Sequence, residues 1–508
     1  LSRYNDDALI QTNSGMIQGE LTPKVKMFRS IPYANPPINE LRWELPEYIE
    51  SWGNNTINAL NDPPGCPQAC YLPPLTCPQT INEDCLYLNI FTPLYANITS
   101  QFPVLLFIHG GNFLQGYGGG LLYNATDFVY NRDVIVVTIN YRLGALGFLY
   151  SDEAGMSGNY GYYDQKMAIE WIYNNIEYFG GNKDEITLYG QSAGAISVAL
   201  HISDKTDESV NQFKRGIMES EPFGTPLRST KTWGDLPRVF IKNTGCNIDS
   251  NHDELWTCLR SLSMETILYA QNKTENDGLV EFDHFMQLFM PWTPTVGTDV
   301  ISDQPIRMFQ NGDTRDISFI SGTVYNEGTE FIYLAYPNGV TKEQVPEILG
   351  FLMTPSDALK VIEAYPLPNN TSDYRDYLSL IATDGLFKCP TRNATASHVS
   401  QSSFKSLVYN YHFNHASSFN NQSWGPNYTC CWGNIVCHGE ELTYIFNTDL
   451  TPINATNTAN EASLAYYMDE YWYQFSIGNG PGNGGNNINW KPFTLSNQES
   501  MIFDINTL

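Results

Sequence analysis

The sequence predicts an α/β protein with a large, mostly parallel central sheet flanked by helices. Three short apolar runs, at residues 104–111, 134–141 and 186–190, have the composition of buried strands. A helical pattern at 164–181 separates the second run from the third, and a helix rich in small residues is predicted after the third. Strands that alternate with helices along a chain are typical of parallel sheets.

Each of these elements has its own local signal. Residues 104–111 (VLLFIHGG) end in a Gly pair, and residues 134–141 (VIVVTINY) are rich in β-branched side chains. Between 164 and 181 apolar residues recur near the helical period until a second Gly pair stops the helix. Residues 186–190 (ITLYG) predict a buried strand that turns sharply into the helix starting AGAISVAL.

The same pattern continues almost to the C-terminus. Residues 316–328 and 406–413 each place an apolar or aromatic run before a polar loop, and 463–475 has the period of an amphipathic helix. The Gly- and Asn-rich segment 478–487 is predicted to be a flexible surface loop. Since no repeat or strong boundary interrupts the chain, we expect the sheet to extend over most of its length.

Composition and charge exclude several classes of protein. Hydrophobic residues make up 42% of the 508 residues, enough for a large core, which argues against intrinsic disorder. With 27 basic and 54 acidic side chains the net charge is −27, so nucleic acids and anionic membrane surfaces are poor partners. The apolar runs are much shorter than the roughly 20 residues that span a bilayer, so no transmembrane helix is expected.

The cysteines and glycosylation sequons indicate a secretory route. Ten cysteines, several closely spaced, are typical of a disulfide framework. Zinc is the competing interpretation, but no C-x-x-C unit repeats and prolines interrupt the N-terminal cluster. Because the chain starts at Leu1 without a leader pattern, we expect that a signal peptide was removed, and that the protein is secreted or stored in vesicles. Asn-x-Ser/Thr sequons occur at Asn54, Asn97, Asn124, Asn272, Asn369, Asn370, Asn393, Asn421, Asn427 and Asn454.

Residues 190–194 (GQSAG) form a G-x-S-x-G pentapeptide between a predicted strand and a predicted helix. A nucleophile elbow needs this context, because its tight, strained turn requires small neighbours and exposes the Ser hydroxyl. Ser192 is therefore the predicted nucleophile, and the Ala193 amide is free to donate to an oxyanion. The alternative is a turn serine without chemistry. The Gly-rich loop 109–112 offers further amide donors, unless it is an ordinary strand-ending turn.

A serine nucleophile on such an elbow needs a histidine base, which follows it and an acid in the chain. Seven of the eight histidines follow Ser192. His438 suits the role because it lies between a Cys-rich loop and an apolar helix start. His412 and His415 lie in or near a predicted strand and are alternatives with structural roles. The residue pattern alone leaves the base open.

Seven segments together resemble the type-B carboxylesterase family, the cholinesterase-like branch of the α/β-hydrolases. They occur in the family's order and at compatible spacing over nearly the whole chain. The resemblance implies the α/β-hydrolase fold, with disulfide-stapled loops, and one domain over residues 1–508. The segments are 83–93, 107–113, 140–149, 158–198, 322–328, 383–390 and 437–446.

The resemblance also implies roles for individual residues. By position, Ser192 is the nucleophile, His438 the general base and then acid, and Glu327 the carboxylate that orients the imidazole. Two further residues are expected to lie buried behind the acid–base pair, namely Ser220 and Asp384. The implied oxyanion hole consists of the backbone amides of Gly111, Asn112 and Ala193.

Disulfide pairing is implied in the same way. The pairs are Cys66 with Cys85, Cys246 with Cys258, Cys70 with Cys77, and Cys389 with one of Cys430, Cys431 or Cys437.

Three positions depart from the family pattern. Asn112 stands where the family usually has Gly or Ala, and if the loop needs a positive φ its side chain crowds the acyl group and lowers activity. Gln191 replaces the common Glu before the nucleophile, which removes a negative charge from the site. Glu221 follows Ser220 where Gly is usual.

The expected activity is hydrolysis of small or lipid-like carboxylic esters through an acyl-enzyme, without metal or organic cofactor. A cholinesterase is not expected, because the loop 66–85 contains no Trp and Glu330 replaces an aromatic residue after the acid. Adhesion proteins of the family lack the nucleophile that is present here. The Asn- and Tyr-rich composition also resembles esterase-like crystal proteins of social amoebae, so a storage protein, self-packed or homo-oligomeric, is the rival hypothesis.

Overall fold

The computed structural model describes residues 8–205, 211–276, 285–478 and 480–506. These residues form fifteen β-strands and sixteen α-helices. The strands are β1 (Leu9–Thr12), β2 (Gly15–Gln18), β3 (Glu20–Leu21), β4 (Val25–Pro32), β5 (Thr56–Asn58), β6 (Tyr87–Pro93), β7 (Phe102–Ile108), β8 (Ile135–Ile139), β9 (Tyr150–Ser151), β10 (Met156–Ser157), β11 (Gly181–Gln191), β12 (Arg215–Glu219), β13 (Ser318–Val324), β14 (Val408–Phe413) and β15 (Met501–Phe503).

The helices lie mainly in the connections between strands. They are α1 (Thr126–Asn131), α2 (Gly144–Phe148), α3 (Tyr160–Asn175), α4 (Ala193–Ser203), α5 (Leu236–Thr244), α6 (His252–Ser261), α7 (Met264–Glu275), α8 (Pro305–Asn311), α9 (Thr329–Ala335), α10 (Val345–Leu352), α11 (Pro355–Ala364), α12 (Arg375–Ala382), α13 (Cys389–Val399), α14 (Asn420–Trp424), α15 (Leu442–Ile445) and α16 (Ala459–Ser476). A π-helical turn, Thr383–Lys388, joins α12 to α13.

Ten strands form one large sheet in the order β15-β14-β13-β12-β11-β7-β8-β6-β4-β3. The pairs from β15 to β8 are parallel. The remaining pairs, from β8 to β3, are antiparallel. The predicted α/β fold with a mostly parallel sheet is therefore confirmed. A small sheet of β1, β2 and β5 and the β9–β10 hairpin lie outside it.

Both faces of the sheet are buried, and the alternation of side chains along each strand explains how. In β7, Leu105 and Phe107 belong to one hydrophobic cluster, whereas Leu106 and Ile108 belong to the other. Successive side chains of a strand point to opposite faces, so a continuous apolar run covers both sides of a central strand. This is why runs such as 104–108 are apolar throughout instead of alternating.

The predicted elements agree with the structure except at their ends. The helical pattern at 164–181 corresponds to α3, which starts at Tyr160, and a short 3-10 helix, Ile176–Phe179. The pattern at 463–475 lies within α16, whose N-terminus is closed by a capping box between Thr458 and Glu461. Among the described helices none is long and apolar enough to cross a membrane.

The structure forms four disulfides, and it corrects one pairing. Cys66–Cys85, Cys70–Cys77 and Cys246–Cys258 are as expected. The expectation that Cys389 pairs with Cys430, Cys431 or Cys437 is wrong, because Cys431 pairs with Cys437. Cys389 begins α13 with an exposed thiol, and Cys430 is also free.

All ten sequon asparagines lie in the described part of the chain. Asn124 is half-buried, and the side chains of the other nine are exposed. Exposure is what a glycan needs at its attachment site, so each of those nine positions is open to modification.

Candidate active site

Ser192 lies in a sharp turn between β11 and α4. Its backbone has φ 58° and ψ −121°, a conformation that non-Gly residues rarely adopt. The Ser192 amide donates to the carbonyl of Glu219 at 2.9 Å, and its carbonyl accepts from the Ile196 amide at 2.9 Å. The amide of Ser192 is thus bonded to β12 and its carbonyl to α4. The sheet and the helix therefore stabilise the strained conformation together.

The glycines around Ser192 are required by close backbone packing. A Cβ at Gly194 would overlap the carbonyl oxygen of Ile108 in β7. A Cβ at Gly190 would lie 2.5 Å from the carbonyl carbon of Gly194. The G-x-S-x-G pattern therefore reflects the tight approach of β7, the turn and α4, as a nucleophile elbow requires.

The loop after β7 places backbone amides beside this turn. Gly111 has φ 102° and Asn112 has φ 61°, so both residues are in the region that favours glycine. Gly111 and Asn112 line the same cavity as Ser192. The third predicted donor, Ala193, is the first residue of α4, where an amide has no acceptor within the helix. The structure thus brings the three predicted oxyanion donors to one place around Ser192.

Glu327 and His438 form a buried acid–base pair. His438 Nδ1 lies 2.6 Å from Glu327 Oε2, and Glu327 Oε1 accepts from the Val324 amide at 2.8 Å. Phe331 and Phe387 pack against the imidazole, with ring centroids 5.3 and 5.1 Å away. The ring is therefore held at Nδ1 by the carboxylate and contacted by two neighbouring phenylalanines, and its Nε2 is not used by Glu327.

The electrostatic surroundings favour the imidazolium. Burial opposes protonation of His438, but the carboxylates of Glu327, Glu330 and Glu441 outweigh it and raise the pKa of His438 above its usual value. An imidazolium that is stabilised in this way is the charged form that appears when a base accepts a proton from a serine.

Nε2 of His438 already has a partner in this structure. The side-chain nitrogen of Gln191 lies 3.2 Å from it. Among the described residues Ser192 Oγ has no hydrogen-bond partner, although its side chain is only 5% exposed and lines the same cavity as His438. Gln191 therefore occupies the position on the imidazole that the nucleophile needs.

A second buried carboxyl lies behind the acid–base pair. Ser220 Oγ donates to Glu441 Oε1 at 3.0 Å, and burial together with Glu327 raises the pKa of Glu441 to about 7. Asp384, expected in the same place, is instead half-buried and accepts from the Tyr365 hydroxyl at 2.8 Å. Asp384 lies in the π-helical turn Thr383–Lys388.

Glu221 and Glu330 are two further acids near the site. Burial raises the pKa of Glu221 well above its usual value, and both of its oxygens lack a hydrogen-bond partner among the described residues. Glu330 is half-buried, lines the cavity above Ser192 and His438, and has a pKa of about 7, raised mainly by burial.

The cavity over Ser192 has a mainly apolar wall. Its polar lining includes Asn112, Gln191, Glu330 and Glu440, the last of which accepts a hydrogen bond from Trp424. The apolar lining residues come from the loop closed by Cys66–Cys85, from the 3-10 helices Leu121–Tyr123 and Pro426–Cys431, from α14 and from α15, and are Leu72, Pro73, Pro74, Leu75, Leu122, Tyr123, Trp424, Tyr428 and Leu442.

The other candidate histidines have structural surroundings. His415 pairs with Glu461 at 3.1 Å near the start of α16. His412 contacts Thr323 at 3.1 Å, and burial lowers its pKa to about 4. Neither contact involves Ser192, so the geometry favours His438 among the three.

A model of the carboxylesterase family matches residues 6–508. The chain belongs to the carboxylesterase family. It is 37% identical over 505 residues to the cAMP-regulated D2 protein of Dictyostelium discoideum, a match that covers 99% of this chain and 90% of that protein. It is 35% identical over 505 residues to the Crystal protein of the same organism, covering 98% and 88% of the two chains.

Solved structures agree with this assignment. A PNB esterase superposes with a TM-score of 0.79 at 27% identity and covers 98% of this chain and 96% of its own. The α/β-hydrolase fold and the resemblance to type-B carboxylesterases are thereby confirmed for this carboxylesterase-family chain.

Two features of the site were missed from the sequence. Glu441 follows the predicted base by only three residues, and a second acid in CHGEE was the available signal. The contact between Gln191 and His438 had no comparable signal, because it depends on a side-chain rotamer across 247 residues of sequence separation.

Proposed function

We propose that this carboxylesterase-family chain is a serine hydrolase that cleaves carboxylic esters through an acyl-enzyme. The observation that carries the proposal is the short Glu327–His438 hydrogen bond next to a nucleophile elbow, with Ser192 and His438 lining one cavity. A turn serine without chemistry would not require a buried, oriented imidazole beside it.

In the proposed reaction Ser192 Oγ attacks the ester carbonyl while His438 Nε2 accepts the hydroxyl proton. The Gln191 side chain has to leave Nε2 before this hydrogen bond can form. The amides of Gly111, Asn112 and Ala193 stabilise the tetrahedral oxyanion. His438 then returns the proton to the departing alkoxide, and water, activated by the same imidazole, releases the acid from Ser192.

The cavity supports small or lipid-like esters as substrates. Its apolar wall fits an aliphatic or aromatic acyl group, which gains free energy of binding when it leaves water. Asn112 stands at the entrance to the oxyanion hole with a side chain larger than Gly or Ala, which disfavours branched acyl groups.

We further propose a secretory or vesicular location and one catalytic domain over residues 1–508. Four disulfides and nine exposed sequons support passage through an oxidising compartment. The large sheet draws its strands from Glu20 to Phe503, which supports a single folding unit.

The second candidate function is a self-packing or storage protein with little turnover. The Gln191–His438 contact favours it, because an imidazole whose Nε2 contacts the Gln191 amide does not accept the proton of Ser192. The similarity to the Crystal protein of Dictyostelium discoideum points in the same direction.

Hydrolysis of p-nitrophenyl acetate, butyrate, octanoate and palmitate separates the two functions. We expect saturable turnover by the natural protein and background rates for Ser192→Ala, with similar melting curves for both. If folded natural protein shows no turnover above Ser192→Ala on any of the four esters, the hydrolase proposal fails and the second candidate takes its place.

A further inference from the structure

A second cavity lies outside the active site, against the sheet at β13 and β14. It has a volume of about 240 Å³. Ser321 and Asn410 are buried and form its floor, whereas Arg392 and Gln498 are exposed at its mouth. Lys388 lies at the junction between the π-helical turn and α13 and closes one side.

The charge of this cavity is opposite to that of the protein. Lys388 and Arg392 line it, and no carboxylate does. Within the described residues neither cation forms an ion pair: Lys388 Nζ donates to the Tyr325 carbonyl at 3.2 Å, and Arg392 Nε donates to Gln498 at 2.7 Å. Two cations that line one cavity without a carboxylate are unusual in a chain with a net charge of −27.

The nearest acids are already engaged elsewhere. Asp384 and Glu327 act on Lys388 from outside the cavity lining. Asp384 accepts from Tyr365, and Glu327 is bonded to His438 and to the Val324 amide. The positive charge of Lys388 reaches the cavity, where burial and then Lys388 lower the pKa of His412 by more than Glu327 and Asp384 raise it.

The floor of the cavity adds neutral donors. Ser321 Oγ is fully buried and has no hydrogen-bond partner among the described residues. The side-chain oxygen of Asn410 accepts from Thr395 at 3.3 Å, which leaves its nitrogen for a ligand. A buried hydroxyl without a partner destabilises the folded chain, so a bound acceptor would remove a penalty that the chain carries.

We propose that this cavity binds the oxyanion of a phosphate group. Lysine and arginine supply the charge, the Arg392 guanidinium keeps its two terminal nitrogens for paired hydrogen bonds, and Ser321 and Asn410 donate from the floor. The exposed mouth at Arg392 and Gln498 leaves room for a substituent, so both inorganic phosphate and a phosphate monoester fit the site. This inference does not rest on the proposed hydrolase function.

Isothermal titration calorimetry with inorganic phosphate at constant ionic strength, in sodium chloride, tests the site. We expect one saturable site in the natural protein and in Ser192→Ala. The double variant Lys388→Gln, Arg392→Gln should bind at least about tenfold more weakly. The matched control Lys342→Gln, Lys405→Gln removes the same charge from exposed positions outside the cavity and should bind as the natural protein does.

Two further arms complete the experiment. Glycerol phosphate in place of inorganic phosphate shows whether a monoester is accepted. Binding of either ligand, or of both, supports the site if the Lys388→Gln, Arg392→Gln double variant weakens that binding. If the double variant does not fold, Arg392→Gln, which changes an exposed side chain, should weaken binding severalfold. Equal affinity in the double variant and the matched control, no saturable binding, or acetate binding as tightly as phosphate would overturn the proposal.

Discussion

The two halves of the active site differ in how far they are prepared for reaction. On one side, Glu327 and His438 are joined by a 2.6 Å hydrogen bond, and two neighbouring phenylalanine rings pack against the imidazole. On the other side, Ser192 has a strained backbone and forms no hydrogen bond to His438 within the described residues. The Gln191 side chain contacts His438 Nε2 instead. One half is complete, and the other requires a side-chain movement.

This difference separates orientation of the base from activation of the nucleophile. Burial and a fixed carboxylate set the tautomer and the pKa of His438 independently of Ser192. Activation of Ser192 depends on whether the side-chain amide of Gln191 moves away from His438 Nε2. Variants of each half should therefore affect turnover by very different amounts.

The largest effect is expected in the complete half, from Glu327→Gln. An amide in place of the carboxylate stabilises the wrong tautomer of His438, and kcat should fall about ten-thousand-fold. Steady-state kinetics on p-nitrophenyl butyrate measure the loss. Glu347→Gln, an exposed residue of α10, is the matched control and should keep full activity. A Glu327→Gln enzyme with near-normal kcat would show that the pair is structural only.

Gln191→Ala tests the incomplete half. Without the amide, His438 Nε2 is open to Ser192, and kcat/KM should rise about fivefold, the equivalent of one hydrogen bond of about 1 kcal/mol. The matched variant Gln191→Asn shortens the side chain but keeps the amide, and should give a smaller increase. A fall in kcat/KM for Gln191→Ala would mean that the amide supports the reaction.

Asn112→Gly concerns the backbone of the oxyanion loop. Glycine relieves the positive φ and removes the side chain, so kcat/KM should increase severalfold, and more for octanoate than for acetate esters. Asn112→Ala removes most of the side chain but keeps the strain, and it therefore separates crowding from backbone strain. An equal effect of both variants would assign the cost to crowding alone.

The smallest effect is expected from Glu330→Gln and appears in the pH profile. His438 acts as a base when neutral, so kcat/KM rises with pH through its pKa. Glu330 is one of the carboxylates that raise this pKa, and its own pKa is about 7. Its removal should shift the ascending limb to lower pH by less than about one unit. An unchanged limb, or a shift to higher pH, would contradict the electrostatic role of Glu330.

The sheet and the nucleophile elbow were accessible from the sequence, since each has a local signal. Continuous apolar runs such as 104–108 mark strands with two buried faces, and close backbone packing leaves only glycine at Gly190 and Gly194. His438 was one of several histidines by pattern, and the family resemblance singled it out before the structure placed it against Glu327.

What the sequence did not predict depends on contacts between distant segments. The pairing of Cys389 was wrong because the loop before His438 closes on itself through Cys431 and Cys437. Asp384 bonds to Tyr365 from within a π-helical turn, and that turn has no clear sequence signal. The cationic cavity combines residues from four separate segments, and no single motif contains it.

Reaction with a fluorophosphonate, followed by intact-mass analysis and peptide mapping, tests whether Ser192 is an activated nucleophile. Such a probe reacts rapidly with a serine that a neighbouring base activates and much more slowly with an ordinary serine. We expect one adduct per chain, located on Ser192, and none in Ser192→Ala or in His438→Ala. A folded natural protein that gains no adduct, or gains one on another residue, would contradict the account of Ser192, His438 and Glu327 as a working triad.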